Sequence, residues 1–462
     1  VHDNPALASA LCEPGATYAV YILEEGHDGL RPPGGASRWW LHHALEALHA
    51  RLAPLTGGLI LKRGSSHTIL PQLAEALGVT SIHWNRRYEG PAIELDSSLK
   101  SALQDKGLSV KSHNAALLHE PWTVATKTGG PYKVFTPFAR ACREKGTPDQ
   151  PMGVPESADT SVINAASGLT LDALELLPRR PDWAGGIKEA WTPGEDGALT
   201  ALDRFVEGPL ARYHEERDIP GKRSTSRLSP HLRFGEISPR LCWHRVETAD
   251  VPRKAVDKFH SELLWREFSY HLLFHNPDLG TQNFQPRFDA FAWAEPDPET
   301  LKRWHFGLTG YPIVDAGMRE LWQTGWMHNR VRMVVGSFLV KNLLIDWRHG
   351  EDWFWDTLVD ADPASNTASW QWIAGSGADA APYFRIFNPI LQGERFDPDG
   401  DYVRRFVPEL ATLPARFIHK PWEADAATLH RAGVRLGETY PRPIIDHGVA
   451  RDRALAAYAD LP

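Results

Sequence analysis

Cysteine and long apolar runs are both scarce in this chain of 462 residues, and each scarcity excludes a class of protein. The three cysteines, Cys12, Cys142 and Cys242, lie far apart, so they form neither a disulfide framework nor the spacing of a metal site. Their scarcity is typical of a reducing compartment, and we therefore predict a cytoplasmic protein. No run of about 18 apolar residues occurs, so we expect no membrane span.

The charge balance gives two opposing signals about nucleic-acid binding. The formal net charge of −8 argues against it. Local balance matters more than the total, and the segment from Arg217 to Arg245 is strongly basic. It holds seven basic residues (Arg217, Lys222, Arg223, Arg227, Arg233, Arg240 and Arg245) and two acids (Asp218 and Glu236). Such a segment fits a DNA-binding surface, but charge alone favours a solvated arginine-rich face.

The first third of the chain alternates short apolar runs with stretches of helical periodicity. The predicted strands are Thr17–Leu23, Gly58–Lys62, Thr80–Trp84 and Ser109–His113, and the predicted helices between them are Ser37–Leu52 and Ser66–Leu77. This alternation predicts a doubly wound parallel α/β sheet. Asp3 or Asn4 before Pro5 is typical of a helix start. A helix at that point implies a strand upstream, so we expect the first strand of the sheet to be missing from the chain as given.

The character of the sequence changes twice beyond this region. Proline, glycine and small polar residues punctuate residues 142–200, where regular periodicity is absent. Helical stretches without strand alternation follow: Leu202–Glu216, Ile237–Glu247, Ala255–Phe274, Ile313–Gln323, His328–Leu344 and Asp352–Val359. We therefore predict an α/β domain over 1–141, a long connector over 142–200 and an all-α domain over 201–462.

Three groups of polar and aromatic residues are candidates for a binding site. Glu262, Trp265 and Arg266 share one helix face, as do Trp326, Asn329, Arg330 and Met333, and both faces suit a flat ligand with polar edges, such as a stacked pyrimidine pair. Taken alone, Glu262 is more simply a surface carboxylate. The third group spans Asp360–Trp372 and reads D-x-D-x-x-x-N-x-x-x-W-Q-W. Its polar groups are costly to bury without partners, which the edges of a flavin would supply.

The order of the motifs resembles the DNA photolyase/cryptochrome family over nearly the whole chain. The matching motifs are HDNPAL at the start, YKVFTPF (Tyr132–Phe138), TSRLSPHLRFGEISPR (Thr225–Arg240), ELLWREF (Glu262–Phe268), TGYPIVDAGMREL (Thr309–Leu321), GWMHNRVRM (Gly325–Met333), FLVKNLLIDW (Phe338–Trp347) and the segment from Asp360. The sequence is most similar to bacterial cyclobutane pyrimidine dimer photolyases. The resemblance implies FAD bound to the helical domain, ultraviolet-damaged DNA as the substrate, and a monomer.

The resemblance also assigns residues to the cofactor. The implied FAD-binding residues are Tyr213, Thr225, Ser226, Arg227, Leu228, Ser229, Asp360, Ala361 and Asp362. Hydroxyl and backbone N–H groups in Thr225–Ser229 suit a pyrophosphate. Asn366 corresponds to the residue beside the flavin N5 atom, and Arg332 to the partner of Asp360, whose buried carboxylate would otherwise be costly.

Electron relay and lesion recognition are assigned in the same way. Trp293, Trp347 and Trp370 align with the family's relay tryptophans, although in a chain with 18 tryptophans each is otherwise a core residue. Trp293 requires one insertion in the alignment. The implied DNA and lesion contacts are Arg217, Glu262, Trp265, Arg266, Asn329, Arg330, Met333, Trp372 and Gln392. Glu262 and Asn366 are the implied catalytic side chains beside the relay.

These residues favour one function over two alternatives. The favoured function is light-driven repair of cyclobutane pyrimidine dimers, by electron transfer from photoexcited reduced FAD to a flipped-out lesion. A cryptochrome-type blue-light photoreceptor is the alternative, but plant members typically carry Asp where this chain has Asn366. Photolyases for (6-4) lesions carry two histidines where this chain has Asn329 and Met333, so the acid–base pair of that chemistry is missing.

A second chromophore is also considered for the α/β domain, where family members often hold a light-harvesting antenna. The segment His83–Glu89 lies at the C-terminal end of a predicted strand, where open α/β sheets bind ligands. The family's folate-binding Asn-Glu pair is replaced by Pro91 and Ala92. We favour 5,10-methenyltetrahydrofolate, then 8-hydroxy-5-deazaflavin, and weigh both against no antenna, with Trp84 and Tyr88 as ordinary packing.

Overall fold

The computed structural model of the chain describes residues 1–154, 168–380, 382–383 and 385–461, which divide into two compact units. The first unit comprises Val1–Ala184, Trp191–Gly208 and Ser226–Asp278, and the second Gly185–Ala190, Pro209–Thr225 and Leu279–Pro462. Within the described part of the chain, no helix is both long and apolar enough to cross a membrane.

Four strands form in the first unit where the apolar runs predict them: β1 (Ala19–Leu23), β2 (Leu59–Arg63), β3 (Ser81–Asn85) and β4 (Ser109–His113). β1 pairs with β2 and β3 with β4, both in parallel. Parallel neighbours need a crossover, which the helices between the strands provide. Among the described residues, no ladder joins one pair to the other. The predicted parallel α/β architecture is confirmed.

Helices make up most of the remaining described chain. In chain order they are α1 (Pro5–Leu11), α2 (Gly35–Thr56), α3 (Ser66–Leu77), α4 (Gly90–Asp105), α5 (Phe135–Glu144), α6 (Gly185–Ala190), α7 (Glu195–Glu207), α8 (Tyr213–Glu216), α9 (Ser229–Phe234), α10 (Pro239–Glu247), α11 (Arg253–His275), α12 (Pro298–His305), α13 (Pro312–Thr324), α14 (Asn329–Ser337), α15 (Trp347–Thr357), α16 (Pro363–Ala374), α17 (Pro389–Phe396), α18 (Asp401–Phe406), α19 (Ala426–Arg431) and α20 (His447–Ala459). A π-helical stretch, Phe338–Asn342, follows α14. Among the described residues of the second unit, the regular elements are all helices, as predicted for the C-terminal part, and one isolated β-bridge joins Leu436 and Tyr440.

The start of α1 confirms the capping prediction. The Asn4 side chain accepts a hydrogen bond from the Leu7 N–H at 3.1 Å, and Pro5 occupies the first turn. A side-chain oxygen at this position satisfies one of the backbone donors that a helix start leaves unpaired.

The predicted connector contains one helix and the start of another. Helix α6 lies within it, and α7 begins at Glu195, before the predicted boundary at residue 200. Gly194 precedes α7 with a φ of 100°, and Glu195 and Asp196 in the first turn favour a helix start through its dipole. Residues 155–167 of the predicted connector lie outside the described residues.

The predicted helix Leu202–Glu216 is also interrupted. It ends as α7 at Glu207, because Pro209 lacks a backbone N–H and cannot continue the ladder, and resumes as α8. The division into units differs from the predicted domain boundaries at 141 and 200. Helix α11 packs against α5 in the first unit, with the Phe138 and Phe268 ring centroids 5.2 Å apart, and sequence periodicity cannot show such a contact.

The core of the second unit positions the candidate site. Trp347 and Trp370 are buried in one cluster with Phe338 and Tyr402. Helices α15 and α16 approach closely because residue 350 is glycine: a Cβ atom there would overlap the Trp370 ring. The loop between these two helices carries Asp360 to Asp362.

Candidate functional site

Asp360 and Arg332 form an ion pair in the second unit, as the resemblance implies. The Arg332 Nη2 atom lies 3.1 and 2.9 Å from the two carboxylate oxygens of Asp360, whose side chain is only 3% exposed. Arg332 also donates from Nε to the Met327 carbonyl at 2.7 Å. This second bond fixes the guanidinium, so the buried carboxylate is balanced by a charge held in place.

Asp362 is the N-cap of α16. Its carboxylate accepts hydrogen bonds from the backbone N–H groups of Ala364 at 3.1 Å and Ser365 at 2.7 Å. Ala361 beside it is buried. Asp362 therefore sets the start of the helix that carries Asn366 and Trp370.

The Asn366 side chain is held by Glu351 of α15. Its Nδ2 atom donates to the Glu351 carbonyl at 3.1 Å and to the Glu351 carboxylate at 2.7 Å. A primary amide has two N–H donors, and both are used here. The Oδ1 atom of Asn366, the acceptor of the amide, takes part in neither of these bonds.

The predicted phosphate-binding segment precedes the short helix α9. The boundary between the units falls between Thr225 and Ser226. Arg227 has a φ of 54°, a left-handed conformation that is costly for a residue with a Cβ and that tends to persist at functional sites. Its guanidinium lies 4.1 Å above the Trp191 ring. Ser226 accepts a hydrogen bond from the Leu228 N–H at 3.4 Å, and Ser229 is exposed.

The donor set fits the chemistry of FAD. Asn366 presents an acceptor suited to a flavin N–H, and the hydroxyls of Ser226 and Ser229 suit phosphate oxygens. Tyr213 is buried, with the Arg217 guanidinium 5.7 Å from its ring centroid.

In the first unit, α11 carries the predicted lesion contacts Glu262, Trp265 and Arg266. Glu262 pairs with Lys258 at 3.0 Å, one helical turn away, and both are partly exposed. The Trp265 ring stacks on Phe135, with centroids 3.7 Å apart. Arg266 faces inward instead: it donates to the Ala116 carbonyl at 2.7 Å and is only 13% exposed. Its predicted DNA contact would require it to exchange these partners.

In the second unit, α14 carries the other predicted lesion contacts. Arg330 donates to Asp218 at 2.8 Å and lies 4.5 Å above the Phe396 ring. Burial raises the pKa of Asp218, but the bond and charge of Arg330 outweigh it and hold that pKa below its ordinary value. Asn329 is exposed, while Met333, Trp372 and Gln392 are half-buried.

His328 is a residue of this region that the motif reading missed. It caps α14, with Nδ1 accepting from the Arg330 N–H at 3.2 Å, and its own N–H donates to Glu320 at 3.1 Å. Burial lowers the pKa of His328 to about 4, so the ring is neutral near neutral pH. Histidine is a weak capping signal, and the predicted helix includes His328 as its first residue, which explains why sequence reasoning missed its capping role.

The three predicted relay tryptophans belong to or pack against one core cluster. Trp347 is fully buried and donates from Nε1 to Asn283 at 3.0 Å. Trp370 is 3% exposed, and half-buried Trp293 packs 4.4 Å from Phe291. Trp370 also contacts Trp304, with ring centroids 6.3 Å apart. No spacing distinguishes Trp304 from the other tryptophans of the sequence.

The predicted antenna segment is tied into the first unit. Arg86 donates to Glu120 at 2.9 Å, and Arg87 donates to Asp96 at 2.7 Å. Tyr88 is 3% exposed and donates to Asn114 at 3.2 Å, and burial raises its pKa well above the ordinary value. These contacts match ordinary packing at the end of a strand.

Comparison with known proteins places this architecture in a family. A family model described as DNA photolyase matches residues 1–156, and one described as FAD binding domain of DNA photolyase matches residues 259–460. A deoxyribodipyrimidine photo-lyase of Agrobacterium fabrum is 54% identical over 99% of this chain and 95% of its own. Cryptochrome-1 of Arabidopsis thaliana is 37% identical over 100% of this chain and 69% of its own. The crystal structure of a bacterial class III photolyase from Agrobacterium tumefaciens superposes with a TM-score of 0.96, at 53% identity, over 100% of this chain and 95% of that one.

The chain therefore belongs to the DNA photolyase family, and its helical part is an FAD-binding domain. As an enzyme it falls in the deoxyribodipyrimidine photo-lyase class. The cryptochrome relative is more distant, so the matches support light-driven DNA repair.

Proposed function

We propose that this enzyme repairs cyclobutane pyrimidine dimers by an electron-transfer cycle under blue or near-ultraviolet light. Reduced FAD, held by residues such as Asp360, Asp362 and Asn366, would supply an electron for ring opening on illumination and would take it back afterwards. In this proposal the protein binds the cofactor and the flipped-out lesion and orients each for electron transfer.

The orientation of Asn366 is the observation that carries the proposal. With both amide hydrogens on Glu351, its Oδ1 offers a fixed acceptor, which suits a protonated ring nitrogen of the reduced cofactor. The aspartate typical of plant cryptochromes would instead bring a second carboxylate against Glu351. Asn366 therefore favours repair over signalling.

The lesion-side residues have complementary roles in the proposal. Trp265 and Trp372 stack on the flipped bases, and Glu262 accepts a hydrogen bond from the pyrimidine edge. Glu262 is partly exposed and paired with Lys258, so its side chain is not sequestered in the core. Arg217 and Arg330 contact phosphates or neutralise developing charge.

The test uses purified protein with chemically reduced FAD and oligonucleotides that carry one cyclobutane dimer, one (6-4) product or no lesion. We expect the cyclobutane dimer to be lost under blue light and retained in the dark, with the (6-4) product unchanged. Glu262→Ala should weaken binding of the dimer by about 1–3 kcal/mol, the cost of a lost buried hydrogen bond. Equal dimer content in light and dark would refute repair and leave the photoreceptor alternative.

We further propose an antenna chromophore on the first unit, with 5,10-methenyltetrahydrofolate preferred over 8-hydroxy-5-deazaflavin. The support is the position of His83–Glu89, which spans the C-terminal half of β3 and the residues after it, at the carboxyl edge where α/β sheets bind ligands. Denaturing protein isolated from its native host and separating the released chromophores would decide the matter. FAD alone would refute the antenna.

A further inference from the structure

Phe135 and Trp265 form an unusually close parallel pair at the surface of the first unit. Phe135 is the first residue of α5, and its ring centroid lies 3.7 Å from that of Trp265 on α11, with an interplanar angle of 7°. Phe268, one turn further along α11, lies nearly perpendicular to both rings beside the stack. Its centroid is 6.0 Å from that of Phe135 and 5.9 Å from that of Trp265. The Trp265 indole is therefore held on one broad face and along one edge.

Ring attraction alone does not account for this arrangement. Aromatic pairs prefer offset or edge-to-face geometry with centroids about 4.5–7 Å apart, because superposed rings bring like partial charges together. The packing of α5 on α11 must supply the rest. Phe138, one turn after Phe135, is 2% exposed and contacts Phe268 and His271 at 5.2 and 5.0 Å. This buried anchor fixes the end of α5 that carries Phe135.

The exposure of the pair distinguishes a binding platform from ordinary core packing. Phe138 and Phe268 are both almost fully buried, whereas Phe135 and Trp265 are only half-buried. A pair that served the core alone would not stand at the surface next to a partly exposed carboxylate, Glu262. An indole has two broad faces, and Phe135 covers one of them.

We propose that Phe135 is a positioning residue for base recognition: it backs the indole of Trp265, so that a flipped base stacks on the opposite face in a three-layer stack. This inference rests on the proposed function. Its physical basis is preorganisation, because an indole already fixed in place loses less side-chain entropy when a base binds. Phe135 itself touches neither base nor cofactor in this arrangement.

The experiment measures dark equilibrium binding of a dimer-containing oligonucleotide and an undamaged one of the same sequence. Phe135→Leu keeps an apolar side chain but removes the flat ring, and Phe135→Tyr keeps the ring. We expect Phe135→Leu to lower the preference for the dimer by about three- to tenfold, the range for a lost aromatic stacking contact. Phe135→Tyr should restore the preference.

Two controls separate this role from general destabilisation. Phe138→Leu alters the same helix in the core, and should lower the melting temperature while leaving the dimer preference unchanged. In a Trp265→Leu background, Phe135→Leu should have no further effect, because it acts through Trp265. Wild-type protein without dimer preference would refute the proposed function itself. Wild-type preference that Phe135→Leu leaves intact, or that Phe138→Leu or Phe135→Tyr lowers equally, would refute the role of Phe135.

Discussion

Glu351 holds the amide of Asn366 through two hydrogen bonds, one to its backbone carbonyl at 3.1 Å and one to its carboxylate at 2.7 Å. The two residues lie 15 positions apart, on α15 and α16, and the contact joins the two helices that flank the Asp360–Asp362 loop. One change at this contact therefore bears on the stability of the packing of α15 on α16.

Replacing Asn366 by Asp should make stability depend on pH. The new carboxylate would face that of Glu351 at hydrogen-bond distance, and like charges raise the pKa of one member of such a pair. A carboxyl whose folded pKa is raised stabilises the fold relatively at low pH and loses that contribution as pH rises. Compared with wild type, the variant should be less stable by about 1–3 kcal/mol near pH 8 and closer to wild type near pH 5 in urea unfolding. The double variant Glu351→Gln, Asn366→Asp should abolish the dependence, and its persistence there would contradict this account.

Removing Arg332 should leave the buried Asp360 carboxylate without its ion-pair partner. Breaking a buried ion pair from one side costs about 3–5 kcal/mol, whereas removing both charges costs far less. Arg332→Ala should therefore lower stability and FAD content, and Arg332→Ala combined with Asp360→Asn should recover much of the stability. Urea unfolding of the four proteins gives the coupling directly. Additive effects would show that the pair contributes little.

Changing Gly350 to Ala should disturb the position of Trp370. The added Cβ would overlap the indole, and overpacking of this kind costs about 1–3 kcal/mol. Gly185→Ala is a matched control, since a Cβ there meets nothing within 4 Å. Thermal unfolding and near-ultraviolet circular dichroism should change for Gly350→Ala only. If the melting temperature and the circular dichroism of Gly350→Ala matched those of wild type, α15 would have shifted to accommodate the added Cβ without cost.

Replacing Trp370 by Phe should block photoreduction of oxidised FAD while leaving FAD content unchanged. Phenylalanine keeps most of the packing but is far harder to oxidise than an indole. Repair by chemically reduced enzyme should persist, because a relay tryptophan would pass electrons to the cofactor without contacting the lesion. Trp39→Phe, at another buried tryptophan, is the control. Photoreduction is followed by time-resolved flavin absorbance. If the Trp370→Phe and Trp39→Phe variants gave the same signal, Trp370 would be only a core residue.

Local signals in the sequence predicted the elements well. The four strands lie within two residues of the apolar runs, and Asn4 with Pro5 marks the start of α1. The Arg332–Asp360 pair followed from the family resemblance and is present. Contacts set by tertiary packing were not predictable: Phe135 and Trp265 are 130 positions apart, and no periodicity connects them. Short α6 likewise carries too few residues to show a period.

Lys341 provides a final prediction, because its ammonium group is buried in the π-helical stretch. It is 1% exposed, donates to the Tyr383 carbonyl at 3.0 Å and lies 4.3 Å from the Tyr383 ring centroid. Burial lowers the pKa of Lys341 to about 7 in the folded protein. In the unfolded chain a lysine has a pKa of about 10.4. Between these values the unfolded state holds the extra proton, so this group makes wild-type stability rise with pH.

Lys341→Met removes that contribution while keeping the length of the side chain. The variant should gain stability relative to wild type near pH 7, on the order of a few kcal/mol less the lost hydrogen bond, and this gain should shrink towards pH 10. Urea unfolding of both proteins across this range measures the difference, with Lys302→Met, at an exposed lysine of α12, as the control. A difference between Lys341→Met and wild type that stays constant with pH would show that Lys341 is protonated throughout, with its charge stabilised by the Tyr383 carbonyl and ring.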